Sequence, residues 1–220
     1  MELKGKIVAF LGDSITEGCG VNDRENNRYD NRLKKDCDLK AVYNYGIGGT
    51  RIAHQFVPSE RVVYDLNFCG RAYTIDRSAD IIVVFGGTND YGHGDAPIGS
   101  IGDRTPATYC GGVWFLMNLL KTEFSGKTIV FMTPAHRIGD EMAADYHTKI
   151  SDAMPLNFYC DVIKETAKQF DIPVLDMFEN LGIDPNKQDD LERFAEDGLH
   201  FNDEGHGYIA NALRSFLEAL

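Results

Sequence analysis

Two short polar blocks at opposite ends of the chain hold the residue types of nucleophilic catalysis. Gly12-Asp13-Ser14 follows the apolar run Ile7–Leu11, and Asp197-Gly198-Leu199-His200 sits just ahead of the last helical pattern. A serine hydroxyl becomes a nucleophile only when a base takes its proton. Asp13 cannot face Ser14 along an extended chain, so the base must come from elsewhere. His200 is the best candidate among six histidines, because Asp197 precedes it by three residues, a spacing that one turn can close to hydrogen-bond reach. An aspartate accepting from one imidazole nitrogen fixes the tautomer and leaves the other nitrogen for the serine. Between the two blocks, Gly48-Gly49-Thr50 and Gly86-Gly87-Thr88-Asn89-Asp90 each follow an apolar run. A glycine such as Gly49 can take a positive φ and bring a backbone N–H close to a ligand, and Asn89 can donate its side-chain NH₂ to developing charge. Nucleophile, base, orienter and oxyanion donors are the parts of acyl transfer. Taken singly, each block also reads as ordinary turn chemistry, with Asp197 capping a turn and His200 a surface residue.

These residues need a scaffold that brings several strand ends to one edge. Short apolar, β-branched runs alternate with helical patterns, the signature of a parallel sheet wrapped by helices. Strands are expected at Ile7–Leu11, Ala41–Tyr45, Ile81–Phe85, Thr128–Met132 and Ile172–Leu175. The last is the weakest, since Pro173 lacks an N–H and favours a sheet edge. Helical stripes run through Val113, Met117, Leu120 and Phe124, and through Tyr159, Val162, Ile163, Thr166, Ala167 and Phe170. A third runs through Ile209, Leu213, Phe216, Leu217 and Leu220, with Asn202 as N-cap. No linker, repeat or low-complexity tract interrupts residues 1–220, which predicts a single domain. The stretches Thr50–Ala79 and Gly86–Pro106 lack clean periodicity and follow strand ends, where open α/β sheets place their binding crevice.

Composition narrows the field. The net charge of −12 argues against nucleic acid and anionic membranes as partners. Five scattered cysteines without a C-x-x-C pair fit reduced thiols. No signal peptide or membrane-spanning run is visible, so a cytoplasmic location is expected. There is no G-x-S-x-G elbow and no G-x-G-x-x-G. Gly126-Lys127-Thr128 imitates part of a phosphate loop, but Lys121 replaces its first glycine and the tripeptide precedes a strand. His54, His93, His136, His147 and His206 lack metal-ligand spacing, so no metal site is expected.

The four blocks, in this order, resemble those of the SGNH hydrolases, the GDSL esterase and lipase family. Gly12-Asp13-Ser14-Ile15 is similar to its first block, with Ile where the name-giving pattern has Leu. Asn44-Tyr45-Gly46-Ile47-Gly48-Gly49 is similar to the second, Gly87-Thr88-Asn89-Asp90 to the third and Asp197-Gly198-Leu199-His200 to the last. The resemblance spans nearly the whole chain. It implies a flavodoxin-like three-layer α/β/α sandwich with a five-stranded parallel sheet. It implies Ser14 as nucleophile, His200 as general base and then acid, and Asp197 as orienter. The N–H groups of Ser14 and Gly49 with the Asn89 amide would bind the oxyanion, without metal or organic cofactor.

The expected activity is a serine esterase acting through an acyl-enzyme on a small-molecule ester, with no oligomeric state implied. Arg51, His54, Arg61, Tyr64 and Arg71, with Tyr91, His93 and Asp95, would favour short acyl groups, acetyl first, on a polar or sugar-like alcohol if they line the crevice. A lipid acylhydrolase, a thioesterase or a silent binding module on the same fold are the alternatives.

Overall fold

A computed structural model describes residues 1–141 and 154–220. Five strands, β1 (Ile7–Gly12), β2 (Ala41–Gly46), β3 (Ile81–Phe85), β4 (Thr128–Met132) and β5 (Val174–Leu175), form one all-parallel sheet in the order β2-β1-β3-β4-β5. This is the flavodoxin-like order, whose switch point lies between β1 and β3. β1 pairs on one side with β2, Gly12 opposite Gly46, and on the other with β3, Gly12 opposite Phe85. The C-terminal ends of these three strands therefore finish side by side.

The period-two alternation of each strand divides the core into two layers. Ile7, Ala9 and Leu11 of β1 join the cluster that holds Val113, Met117 and Leu120 of the helix Tyr109–Glu123. Tyr159 and Ile163 of the helix Leu156–Lys168 complete that side. Val8 and Phe10 point the other way, into a cluster with Tyr29 and Leu33 of the helix Tyr29–Asp36 and Ile209, Leu213 and Leu217 of the helix Asp203–Ala219. The sheet is thus covered by helices on both faces, as expected for a three-layer sandwich. Each fully buried Val, Leu, Ile or Phe contributes about 1.5–3 kcal/mol of hydrophobic stabilisation.

Several expectations need correction. β5 has two residues rather than four, because the Ile172 N–H closes the end of the preceding helix on Ala167 O and Pro173 has no N–H to give. Pro173 still enters the ladder as an acceptor from Phe131 N, and β5 is an edge strand as its proline suggested. The apolar stripe of the last helix ends at Leu217; Leu220 is 49 % exposed. The segments read as irregular carry short helices at Phe68–Arg71 and Thr88–His93. Among the described residues no helix is long and apolar enough to cross a membrane.

The helix Asp203–Ala219 has the predicted cap. Asn202 Oδ1 accepts from the N–H groups of Glu204 and Gly205, and its Nδ2 donates to Arg193 O. Asn202→Ala removes these bonds, and we expect a loss of about 1 kcal/mol of stability. A urea unfolding curve showing an unchanged midpoint would contradict that role.

Candidate active site

β1 ends at Gly12, where a side chain would collide with that of Thr16. Asp13 then caps the short helix Ser14–Glu17, its Oδ1 accepting from Ile15 N at 3.0 Å. Ser14, the first helical residue, is 6 % exposed. Its Oγ lies 2.9 Å from His200 Nε2. His200 Nδ1 lies 2.6 Å from Asp197 Oδ2. The other Asp197 oxygen accepts from the N–H groups of Leu199, at 2.9 Å, and His200, at 2.7 Å. This turn holds the carboxylate under the ring as the three-residue spacing suggested. A carboxylate can only accept, so the Nδ1 proton points to Asp197 and Nε2 is left to accept from Ser14. Partial burial opposes ionisation of Asp197, but the bonds from His200 and Leu199 outweigh it and hold the carboxyl below its ordinary range.

Gly49 follows β2 with φ of +75°, and the Tyr64 ring lies against its α-carbon where a side chain would otherwise stand. Gly48 N donates to Glu17 Oε2 at 2.6 Å, which pins this turn beside Ser14. Among the described residues neither Ser14 N–H nor Gly49 N–H has a protein acceptor. Asn89 lies in the first turn of the helix after β3 and is 4 % exposed. Its Nδ2 donates to Thr50 O at 3.0 Å. Its Oδ1 lies 3.1 Å from His93 Nε2.

Ser14, Gly49, Asn89 and His200 all line one crevice of about 550 Å³, with Glu17, Cys19, Ile47, Gly48, Arg61, Val63, Tyr64, His93 and Leu199. Asp197 stands behind His200, on an adjoining depression. All five expected site residues are therefore gathered at the β1–β3 switch point.

The substrate-facing list is shorter than the sequence suggested. Of its eight residues only Arg61, Tyr64 and His93 line the crevice. Arg51 is buried and donates to Ser59 Oγ, Tyr64 O and Asp65 Oδ1. Arg71 is buried too, donating to Gly12 O, Tyr45 O and Thr50 Oγ1, and so ties the ends of β1 and β2 to the Gly49 turn. Asp95 accepts from the N–H groups of Phe56 and Val57, and Tyr91 O–H donates to Gly139 O. His54 is exposed and away from the crevice lining. Sequence reasoning could not separate these because a buried brace and a substrate contact use the same polar residue types. It also passed over Glu17 and the buried Asp90, whose two oxygens accept from Ile52 N and Ala53 N at 2.8 and 3.0 Å. The one signal for Asp90 was its place beside Asn89. Among the described residues no cluster of His, Cys, Asp or Glu could hold a metal ion; His147 lies outside them.

Residues 10–208 match the GDSL-like lipase/acylhydrolase family. The chain belongs to that family, and it is a carboxylic ester hydrolase. One crystal structure is 26 % identical over 100 % of this chain and 99 % of its own, with a TM-score of 0.85. A protein from Lactobacillus plantarum is 29 % identical over 98 % of each chain, with a TM-score of 0.82. A "possible lipase" from Chitinophaga pinensis, 21 % identical over 97 % of this chain and 98 % of its own with a TM-score of 0.66, shares the fold. No curated protein matches the chain.

Asp13 gives the site a pH-dependent weakness. Burial pushes its carboxyl up from 3.8 to about 6, against the lowering effect of the Ile15 N–H. Between those values the folded chain keeps a proton that the unfolded chain has released. Asp13 therefore lowers stability progressively as pH rises from about 4 to about 6. Asp13→Asn keeps a capping oxygen and has no charge to bury. Its urea midpoint relative to the parent chain should rise across that window, and a difference independent of pH would refute the assignment.

Proposed function

We propose that this esterase hydrolyses short acyl esters of a polar alcohol by a two-step mechanism on Ser14. His200 Nε2 takes the Ser14 proton as Oγ attacks the ester carbonyl. The same proton passes to the departing alcohol, leaving an acyl-serine. Water, deprotonated by His200, then attacks the acyl carbon, and Ser14 Oγ leaves with its proton restored. Asp197 holds the productive tautomer and stabilises the imidazolium that forms in each half-reaction. The carbonyl oxygen, negative in both tetrahedral intermediates, is received by the N–H groups of Ser14 and Gly49 and by the Asn89 amide.

The observation that carries this reading is the unbroken series Asp197, His200, Ser14 at 2.6 and 2.9 Å, beside two backbone N–H groups without a protein acceptor among the described residues. Ser14→Ala should lower kcat by about 10⁶ while the chain stays folded. It should also abolish labelling by a fluorophosphonate. Near-native turnover of p-nitrophenyl acetate by a folded Ser14→Ala sample would sink the mechanism.

The polar alcohol is supported by Glu17, Arg61 and Tyr64 in the crevice wall. One observation favours a longer acyl chain instead. Phe56, Val57, Val62, Val63 and Leu66 are all exposed on the segment beside the crevice, and Val63 lines it. Specificity constants for p-nitrophenyl acetate, butyrate, octanoate and palmitate, measured beside acetylated sugars and acyl-CoA, decide between them. We expect acetate and acetylated sugars to lead; a rise toward octanoate, or a preference for the thioester, would overturn this choice of substrate.

A further inference from the structure

An asparagine serves as an oxyanion donor only if its carboxamide is held the right way round. Turning the group over exchanges oxygen for nitrogen and presents a repelling acceptor to the developing charge. Asn89 is held at both ends. Nδ2 donates to Thr50 O, and Oδ1 faces His93 Nε2. Turned over, the amide would set its oxygen against Thr50 O and its NH₂ against the imidazole.

The His93 ring can support that orientation only in one tautomer. Arg51 Nη1, 2.9 Å from His93 Nδ1, has hydrogens to give and no lone pair to offer. Nδ1 must therefore accept, and the proton of the neutral ring sits on Nε2, where it donates to Asn89 Oδ1. A bond accepted at the amide oxygen also polarises the NH₂ and makes it a stronger donor. Arg51 is itself fixed, 3 % exposed, by Ser59 Oγ at 2.6 Å and Asp65 Oδ1 at 2.9 Å. The segment holding those residues also carries Tyr64, whose ring lies against Gly49 and 5.6 Å from that of His93. The order Asp65, Arg51, His93, Asn89 thus joins the segment that carries Tyr64 to the Asn89 amide through successive side-chain hydrogen bonds.

We propose that His93 is a positioning residue for ester hydrolysis, acting through the orientation of the Asn89 amide, with Arg51 selecting its tautomer. The inference rests on the assignment of Ser14 and Asn89 above. Its loss should be felt where charge develops on the carbonyl oxygen, in kcat rather than KM.

Two substitutions separate hydrogen bonding from packing. His93→Phe keeps a ring beside Tyr64 and removes both nitrogens. His93→Gln changes the shape but keeps an oxygen for Arg51 and an NH₂ for Asn89. With p-nitrophenyl acetate, His93→Phe should lower kcat by about 10–10²-fold with KM little changed, part of the cost of losing the donor itself. His93→Gln should recover most of the rate. In an Asn89→Ala background His93→Phe should cost little more, since the group it acts through is gone. Equal losses in both backgrounds, a raised KM with kcat held, or a better rate from His93→Phe than from His93→Gln would each overturn the proposal. Those outcomes leave the nucleophile untouched, whereas turnover by Ser14→Ala would remove the reading on which the proposal stands.

Discussion

The hydrogen bond between Ser14 Oγ and His200 Nε2 joins residues 186 positions apart. No local structure can make such a contact, and closing so long a loop has an entropic cost that only assembled packing repays. Three contacts secure the ends. Gly20, with φ of +86°, brings its α-carbon against the backbone of His200 and Phe201, closer than any side chain would allow. Asp203 accepts from Asn22 N and Asn27 Nδ2. Tyr29 N donates to the buried His206 Nδ1 at 3.2 Å, and burial pushes the His206 imidazole down to about 3, so that nitrogen stays free of a proton to accept. The final helix is thereby locked to the segment that follows Ser14, and the imidazole reaches the serine from a docked element rather than from a free terminus.

Around that bond, charged side chains are buried to hold backbone rather than to meet ligands. Asp90 accepts from two successive N–H groups, and Arg71 donates to Gly12 O and Tyr45 O at the ends of two strands. A buried charge left unpaired is costly, so each of these groups is stable only in the geometry that satisfies it. Loops that finish a parallel sheet have no ladder of their own. Such braces give them one conformation and hold the N–H groups of Ser14 and Gly49 at fixed positions.

Much of this was legible from residues 1–220 alone. Strands read as continuous apolar runs because both faces of a parallel sheet are covered, and β3 and β4 fell at their expected limits. Asn202 capped its helix as its type and place suggested, and Asp197 reached His200 because one turn suffices. These features depend on neighbours in sequence, where periodicity and spacing carry the information. The shortness of β5 was one exception, since the competing use of the Ile172 N–H by a helix end leaves no mark on composition.

Only the tertiary structure decided which polar residues face the crevice. Arg51, Arg61 and Arg71 are alike in type and lie within one segment, yet the first and last are spent on backbone and side-chain braces and only Arg61 reaches the crevice wall. Likewise the sequence marks Asn89 as a donor, but its orientation is set by Thr50 and by a histidine whose tautomer a distant arginine determines. Hydrogen-bond partners across the sheet edge are chosen by register and packing, and those act between positions with no fixed separation along the chain.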